Sequence, residues 1–272
     1  MKTVVGLATR KRRIEGAMQT ICALQPQCDE MHVFVHEYGR RAPLPRWLFQ
    51  WSNVHVYSDR EYPDRGALDK HLFCPENDSN AVFLSVDDDI LYPADYVAKT
   101  LERLLEYGPR YIVSWHGSYY EDPPIRNYHE QRRALFHFWR EIPEDLHVNV
   151  LGAGCMARFA NALHVDWKRY TKYYSDDFII ASCAAEQQLG KVVLAHESGW
   201  IKDNRLVTRA DAVATRLMAN PVDALEVADF LTEGWPIWRE DLNGEWKDCR
   251  DYSGQPEIPE WDALSRERTS RR

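Results

Sequence analysis

The chain has 272 residues, 44% hydrophobic and 28% charged, which suits one large globular domain or one domain with an appendage. At this length a core forms without disulfides or structural metals. The net charge of -8, from 34 Lys and Arg against 42 Asp and Glu, argues against a generalised grip on nucleic acid and leaves only local basic patches.

Residues 3–8 are a short apolar run, read as a buried strand, and Arg10-Lys11-Arg12-Arg13 follows it. Charges after the apolar run are the reverse of a secretory signal. Residues 14–24 carry Ile14, Met18, Ile21, Cys22 and Leu24 at helical spacing. Strands are predicted over 31–35, 54–57 and 81–86, the last running straight into Asp87-Asp88-Asp89. A helix over about 93–107 ends at Gly108-Pro109, and 111–115 is a fifth strand. Residues 117–148 are polar and aromatic-rich and read as a long loop. The run 149–158 contains Gly152-Ala153-Gly154, read either as a strand bend or as a place where backbone approaches a ligand. A helix opens at Ser175-Asp176-Asp177 and runs to Leu189, and 191–196 is a late strand.

After about residue 205 the character changes. Two helical stretches (about 208–219 and 221–233) precede a Trp-rich, Pro/Gly-punctuated tail, and residues 265–272 are charged and read as disordered. Cys22, Cys28, Cys74, Cys155, Cys183 and Cys249 form no CxxC pair and read as reduced core thiols. No stretch reaches the ~18 apolar residues of a membrane span. The expectation is a soluble cytoplasmic protein, with peripheral membrane attachment compatible.

Strand–helix–strand repetition predicts an α/β fold with a mainly parallel sheet flanked by helices. Ligands of such sheets bind beyond the carboxyl ends of the strands. The acidic triplet lies at such an end. Three adjacent carboxylates repel one another, and a cation relieves that cost. Oxygen-rich sites suit Mg²⁺ or Mn²⁺. Strand alternation would put Asp87 and Asp89 on one face. Asp176 and Asp177 read either as helix capping or as a base, and the helix start would keep Asp177 ionised. His196, after a strand, reads as a structural histidine or a metal ligand.

Residues 82–96 resemble the strand, DxD motif and following helix of GT-A glycosyltransferases of the family 2-like type. In order, residues 3–10 look like the first nucleotide-binding strand and its loop, and Asp64-Arg65-Gly66-Ala67-Leu68-Asp69-Lys70 like a D-x-G-x-x-x-K element. Asp176-Asp177-Phe178 looks like the element that supplies the base of inverting members, and His196 falls where many GT-A enzymes place a further metal ligand. The resemblance implies a GT-A type Rossmann-like domain over 1–205, with a nucleotide-sugar half to about 92 and an acceptor half beyond it. Residues 206–272 form a helical or irregular extension. It implies Mn²⁺ or Mg²⁺ held by Asp89, Asp87 and His196. A nucleoside-diphosphate sugar, of UDP type, meets Thr9, Arg10, Asp64, Lys70, Asp87 and Asp88. Asp177, beside Asp176, is the base that deprotonates a hydroxyl acceptor such as a glycan, with inversion. A sugar-nucleotide nucleotidyltransferase and a non-catalytic sugar-binding protein are the alternatives. The first usually has a Gly-rich phosphate loop after its first strand, and Ala8-Thr9-Arg10-Lys11 has none.

Overall fold

A computed structural model describes residues 1–38, 43–127, 130–166, 176–204, 206–207, 232–233, 235–241 and 243–248. In chain order the strands are β1 (Lys2–Arg10), β2 (Glu30–His36), β3 (Val54–Ser58), β4 (Ala81–Asp87), β5 (Ile90–Leu91), β6 (Tyr111–Ser114), β7 (Gly117–Tyr120), β8 (Arg132–Phe136), β9 (Leu146–His147), β10 (Val150–Leu151), β11 (Cys155–Phe159), β12 (Gly190–Val193), β13 (Lys202–Asp203), β14 (Trp238–Glu240) and β15 (Trp246–Asp248). The α-helices are α1 (Ile14–Leu24), α2 (Tyr96–Tyr107) and α3 (Asp176–Glu186).

The main sheet has eight strands in the order β3-β2-β1-β4-β11-β6-β12-β9. Strands β1 to β4, β6 and β12 run one way, while β11 and β9 run against them. The mainly parallel α/β sheet expected from the sequence is therefore present. Both faces of such a sheet are covered, which is why β4 reads as an uninterrupted apolar run. Val82, Phe83, Leu84 and Val86 are at most 1% exposed. Each such side chain contributes about 1.5–3 kcal/mol of burial, so the strand stays in the core although it ends on carboxylates.

The chain turns outward from β1 through β2 to β3, then returns to place β4 on the other side of β1. The order reverses between β1 and β4. A crevice opens at the carboxyl ends of strands at such a reversal, and Arg10 and Asp87 are the last residues of these two.

Residues 117–148 differ from the predicted loop. They hold β7, β8 and β9, and β7 pairs antiparallel with both β8 and β10 in a small second sheet. These strands are short and their pairing shifts register between Tyr119 and Tyr120, so no period-two pattern survives in the sequence. The late strand stops at Val193 rather than at 196, and α2 starts at Tyr96 rather than 93.

The helix predicted over 208–219, residues 221–231 of the one predicted over 221–233, and Ser175 before α3 lie outside the described residues. The described part of the extension includes a β14–β15 hairpin against the end of α3. Trp238 Nε1 donates to Ala185 O at 3.1 Å and Trp246 Nε1 to Gln188 O at 2.8 Å. Among the described residues no helix is long and apolar enough to cross a membrane.

Candidate active site at the β1–β4 crevice

Strand β4 delivers Asp87 to the crevice, and the chain then turns through Asp88 and Asp89 before β5. Because the strand ends at Asp87, alternation alone does not set the orientation of the triplet; two cations of the chain do. Lys70 Nζ lies 2.5 Å from Asp87 Oδ1 and 2.9 Å from Asp176 Oδ2. Arg13 Nη2 lies 2.7 Å from Asp88 Oδ1 and 2.9 Å from Asp89 Oδ2. Asp88 is buried; the side chains of Asp87 and Asp89 keep 42% and 37% exposure, so those two open to the crevice.

Asp88 anchors the turn. Thr9 Oγ1 donates to its Oδ2 at 2.6 Å, Thr20 Oγ1 reaches Ile90 O at 2.8 Å, and the Asn204 backbone N–H donates to Asp89 O at 2.7 Å. Burial pushes the Asp88 carboxyl up to about 7, with Arg13 opposing. Burial, with Asp87 adding to it, also raises Asp89.

Lys70 comes from the 3-10 turn Gly66–His71, which lies under β1. A Cβ at Gly6 would overlap the Lys70 carbonyl, so only glycine lets the turn approach that closely. Lys70 is 3% exposed. Burial works against its charge, but Asp176 and Asp87 outweigh it and hold the ammonium above its ordinary range. Burial likewise opposes ionisation of Asp176, and Lys70 with His71 (Nε2 at 3.3 Å) reverses that, leaving Asp176 below the usual carboxylate range.

Asp177, in the first turn of α3, behaves in the opposite way. Burial and the neighbouring Asp176 charge push its carboxyl up to about 7. The expectation that a helix start keeps Asp177 ionised is thus corrected, because burial and Asp176 together outweigh the helix. The two neighbours divide the work: Asp176 is an ion-paired anchor and Asp177 is the titratable group.

Asp177 Oδ1 accepts the Ala153 N–H at 2.6 Å. The Gly152–Gly154 bend is gripped carbonyl by carbonyl: Ser114 Oγ donates to Gly152 O at 2.9 Å, Ser85 Oγ to Ala153 O at 2.6 Å and Tyr92 OH to Gly154 O at 2.5 Å. A Cβ at Gly154 would overlap the Asp87 carboxylate. The bend is the spacer between Asp87 and Asp177.

Thr9, Lys70, Asp87, Asp88, Asp89, Asp176 and Asp177 are brought together. Three expected participants stand elsewhere. Arg10 Nη1 turns to Glu37 Oε1 at 3.3 Å, and Asp64 Oδ1 faces His36 Nδ1 at 3.0 Å. His196 directs Nδ1 at Leu194 O, 2.7 Å away, and packs edge-on against Trp115. It forms no three-ligand group with Asp87 and Asp89 among the described residues. Sequence reasoning missed Arg13, Thr20, Tyr92, Ser85, Ser114 and Asn204. Arg13 sits inside the basic run after β1 with nothing local to set it apart from its neighbours; its 15% side-chain exposure belongs to tertiary packing.

No family model and no curated protein matches the chain. Among solved structures, mannose-6-phosphate isomerase from Helicobacter pylori is similar at 10% identity and a TM-score of 0.38, over 69% of this chain and 80% of that one. The site is therefore read from its own geometry.

Proposed function

We propose that the protein is a metal-dependent, inverting glycosyltransferase of the GT-A type, moving a sugar from a nucleoside diphosphate to a hydroxyl acceptor such as a glycan. One observation carries the reading: two half-exposed carboxylates, Asp87 and Asp89, open at the β1–β4 reversal, where Asp177 is bridged to Asp87 by the three-residue Gly152–Gly154 bend.

The donor set fits Mn²⁺ or Mg²⁺. Lys70 occupies Asp87 Oδ1 and Arg13 occupies Asp89 Oδ2, which leaves one oxygen on each. Such ions take one or two carboxylates and complete their shell with water and substrate phosphates. When bound, the ion would supply Lewis-acid stabilisation of charge on the leaving diphosphate. Lys70 and Arg13 hold the two carboxylates in place, and Thr9 fixes Asp88 behind them. Asp177 takes the proton of the acceptor hydroxyl as that oxygen attacks the anomeric carbon. A carboxylate raised to about 7 is a stronger base at neutral pH than an ordinary one. The expected donor is of UDP type.

Calorimetric titration with UDP, GDP, dTDP and CDP, with and without Mn²⁺, tests the reading on wild type and Asp89→Ala. The expected result is one nucleotide that binds only with metal and is lost in the variant. A folded protein that binds none of the four removes the transferase reading.

A further inference from the structure

Residues 38–58, between Glu37 and Asp59, are the longest stretch of the chain without an aspartate or glutamate. In a chain of net charge -8 this stretch carries three arginines, and it sets Trp47, Phe49 and Trp51 at alternate positions. Its middle folds as the 3-10 turn Arg46–Phe49. Leu48 is fully buried and pins the turn, while Trp47 and Trp51 lean on the core with part of their surface open. The two indoles meet edge to face at 6.3 Å. Side chains three residues apart eclipse in a 3-10 turn, so Arg46 and Phe49 stand on one side of it. Both are exposed, and Phe49, at 60%, is the only Phe, Trp or Tyr among the described residues that is not at least half-buried. No carboxylate of the described residues pairs with Arg46.

The turn is held from the sheet side. Asn53 Nδ2, just before β3, donates to Gln25 O and Cys28 O, both at 3.0 Å, and Asn53 Oδ1 accepts from Gln25 Nε2 at 2.7 Å. Strand β3 starts at Val54 and runs parallel to β2 and β1. The turn therefore lies at the amino edge of the sheet, opposite the carboxyl edge that holds the crevice. Two carboxylates at this edge are already engaged: Asp29 Oδ2 accepts the Thr3 N–H at 2.7 Å, and Glu30 pairs with Lys2 at 2.9 Å.

We propose that the Arg46–Phe49 turn, flanked by Trp47 and Trp51, is a shallow anchor for an anionic phospholipid bilayer. Tryptophan settles at the headgroup level, where its ring meets apolar chains and its N–H meets water. Phe49 reaches the acyl boundary beside it, and Arg46 meets lipid phosphates. An anionic bilayer offers negative charge and apolar depth in one place, which an acid-free, basic and aromatic turn complements. A contact this small is reversible. It leaves the crevice, at the other edge of the sheet, free for its ligands. The anchor does not depend on the glycosyltransferase reading.

The test sediments the full chain with vesicles of phosphatidylcholine, and with vesicles in which roughly a third of the lipid is phosphatidylglycerol. Wild type, Phe49→Ala, Arg46→Glu and the control Leu105→Ala are compared, with circular dichroism to check the fold. All three positions are exposed. Wild type should bind the anionic vesicles, and ~1 M KCl should release it by screening. Phe49→Ala should weaken binding ~10-fold by removing the apolar contact. Arg46→Glu reverses a charge and should weaken it at least ~10-fold. Leu105→Ala, on α2 and 49% exposed in the wild-type chain, should bind as wild type. Folded wild type that stays in the supernatant with anionic vesicles overturns the anchor, and so does equal binding by wild type and Phe49→Ala. A dimer in sedimentation velocity that Phe49→Ala abolishes, without vesicle binding, would assign the turn to a second copy and overturn it as well.

Discussion

The Lys70 ammonium sits 2.5 Å from Asp87 Oδ1, so a buried cation from the loop after β3 meets the open carboxylate at the end of β4. The same nitrogen holds Asp176 of α3 at 2.9 Å, which makes Lys70 the joint between the triplet and the Asp176-Asp177 pair.

Lys70→Met should therefore be costly. It leaves buried Asp176 beside Asp87 with His71 as its remaining partner, and removing one partner of a buried ion pair costs about 3–5 kcal/mol. Urea unfolding of the variant should show a loss toward the lower end of that range, because Asp87 is half exposed. A loss under about 1 kcal/mol would show that water already solvates the pair.

Arg13 and Arg12 are neighbours in one basic run but differ in their contacts. Arg13→Ala leaves buried Asp88 without its cation, and a group stranded in that way costs about 1–3 kcal/mol. Arg12, 43% exposed and 3.7 Å from Glu37, should cost under about 0.5 kcal/mol on the same substitution. Equal urea midpoints for the two variants would return Arg13 to the solvated surface.

Gly154→Ala puts a methyl group into the Asp87 carboxylate while leaving every polar side chain of the site in place. Displacement of a reacting group by about 1 Å can cost on the order of 100-fold in turnover. The variant should keep its circular dichroism spectrum and lose Mn²⁺-dependent hydrolysis of the donor sugar nucleotide by roughly that factor. Wild-type turnover would mean that Asp87 moves freely.

The pH dependence has two signs to separate. Asp177 serves as a base only when deprotonated, so turnover should rise with pH, reach half its maximum near 7, and vanish in Asp177→Asn. Stability moves the other way. Asp69, Asp88 and Asp177 have folded values raised to about 6, 7 and 7 from an ordinary value near 4, so between those limits these three groups bind more protons in the folded chain than in the unfolded one, while His32, His116 and His147, lowered by burial to about 4, bind fewer. The two sets oppose each other in the whole chain, so the carboxyl share is read by difference: without divalent cation, the melting temperature of wild type relative to Asp177→Asn should fall as pH rises from about 4 to 7. A difference that grows over the same interval would contradict the Asp177 assignment.

The parts of the site that the sequence announced are those whose signal is local. An apolar run that stops on three aspartates marks a strand end by composition alone, and Gly108-Pro109 marks the end of α2. Arg13, Tyr92, Ser85 and Ser114 carried no such signal, because each acts on a backbone or carboxylate group from another element. Asp176 and Asp177 were legible as a pair but not in their roles. Two identical side chains differ in acidity only through what surrounds them: Lys70 and His71 outweigh burial at Asp176, while burial and the Asp176 charge prevail at Asp177.

By itself the sequence determined the α/β class, most strands of the parallel sheet and the position of the triplet at a strand end, since hydrophobic periodicity and chain breaks are properties of neighbouring residues. Tertiary structure alone decided which carboxylates face the crevice, which cation neutralises which, and that His196 stands away from the triplet while His36, Asp64 and Asp69 converge. Those outcomes depend on strand order, and on the reversal between β1 and β4 in particular, which brings together residues far apart in the chain at distances that no local pattern encodes.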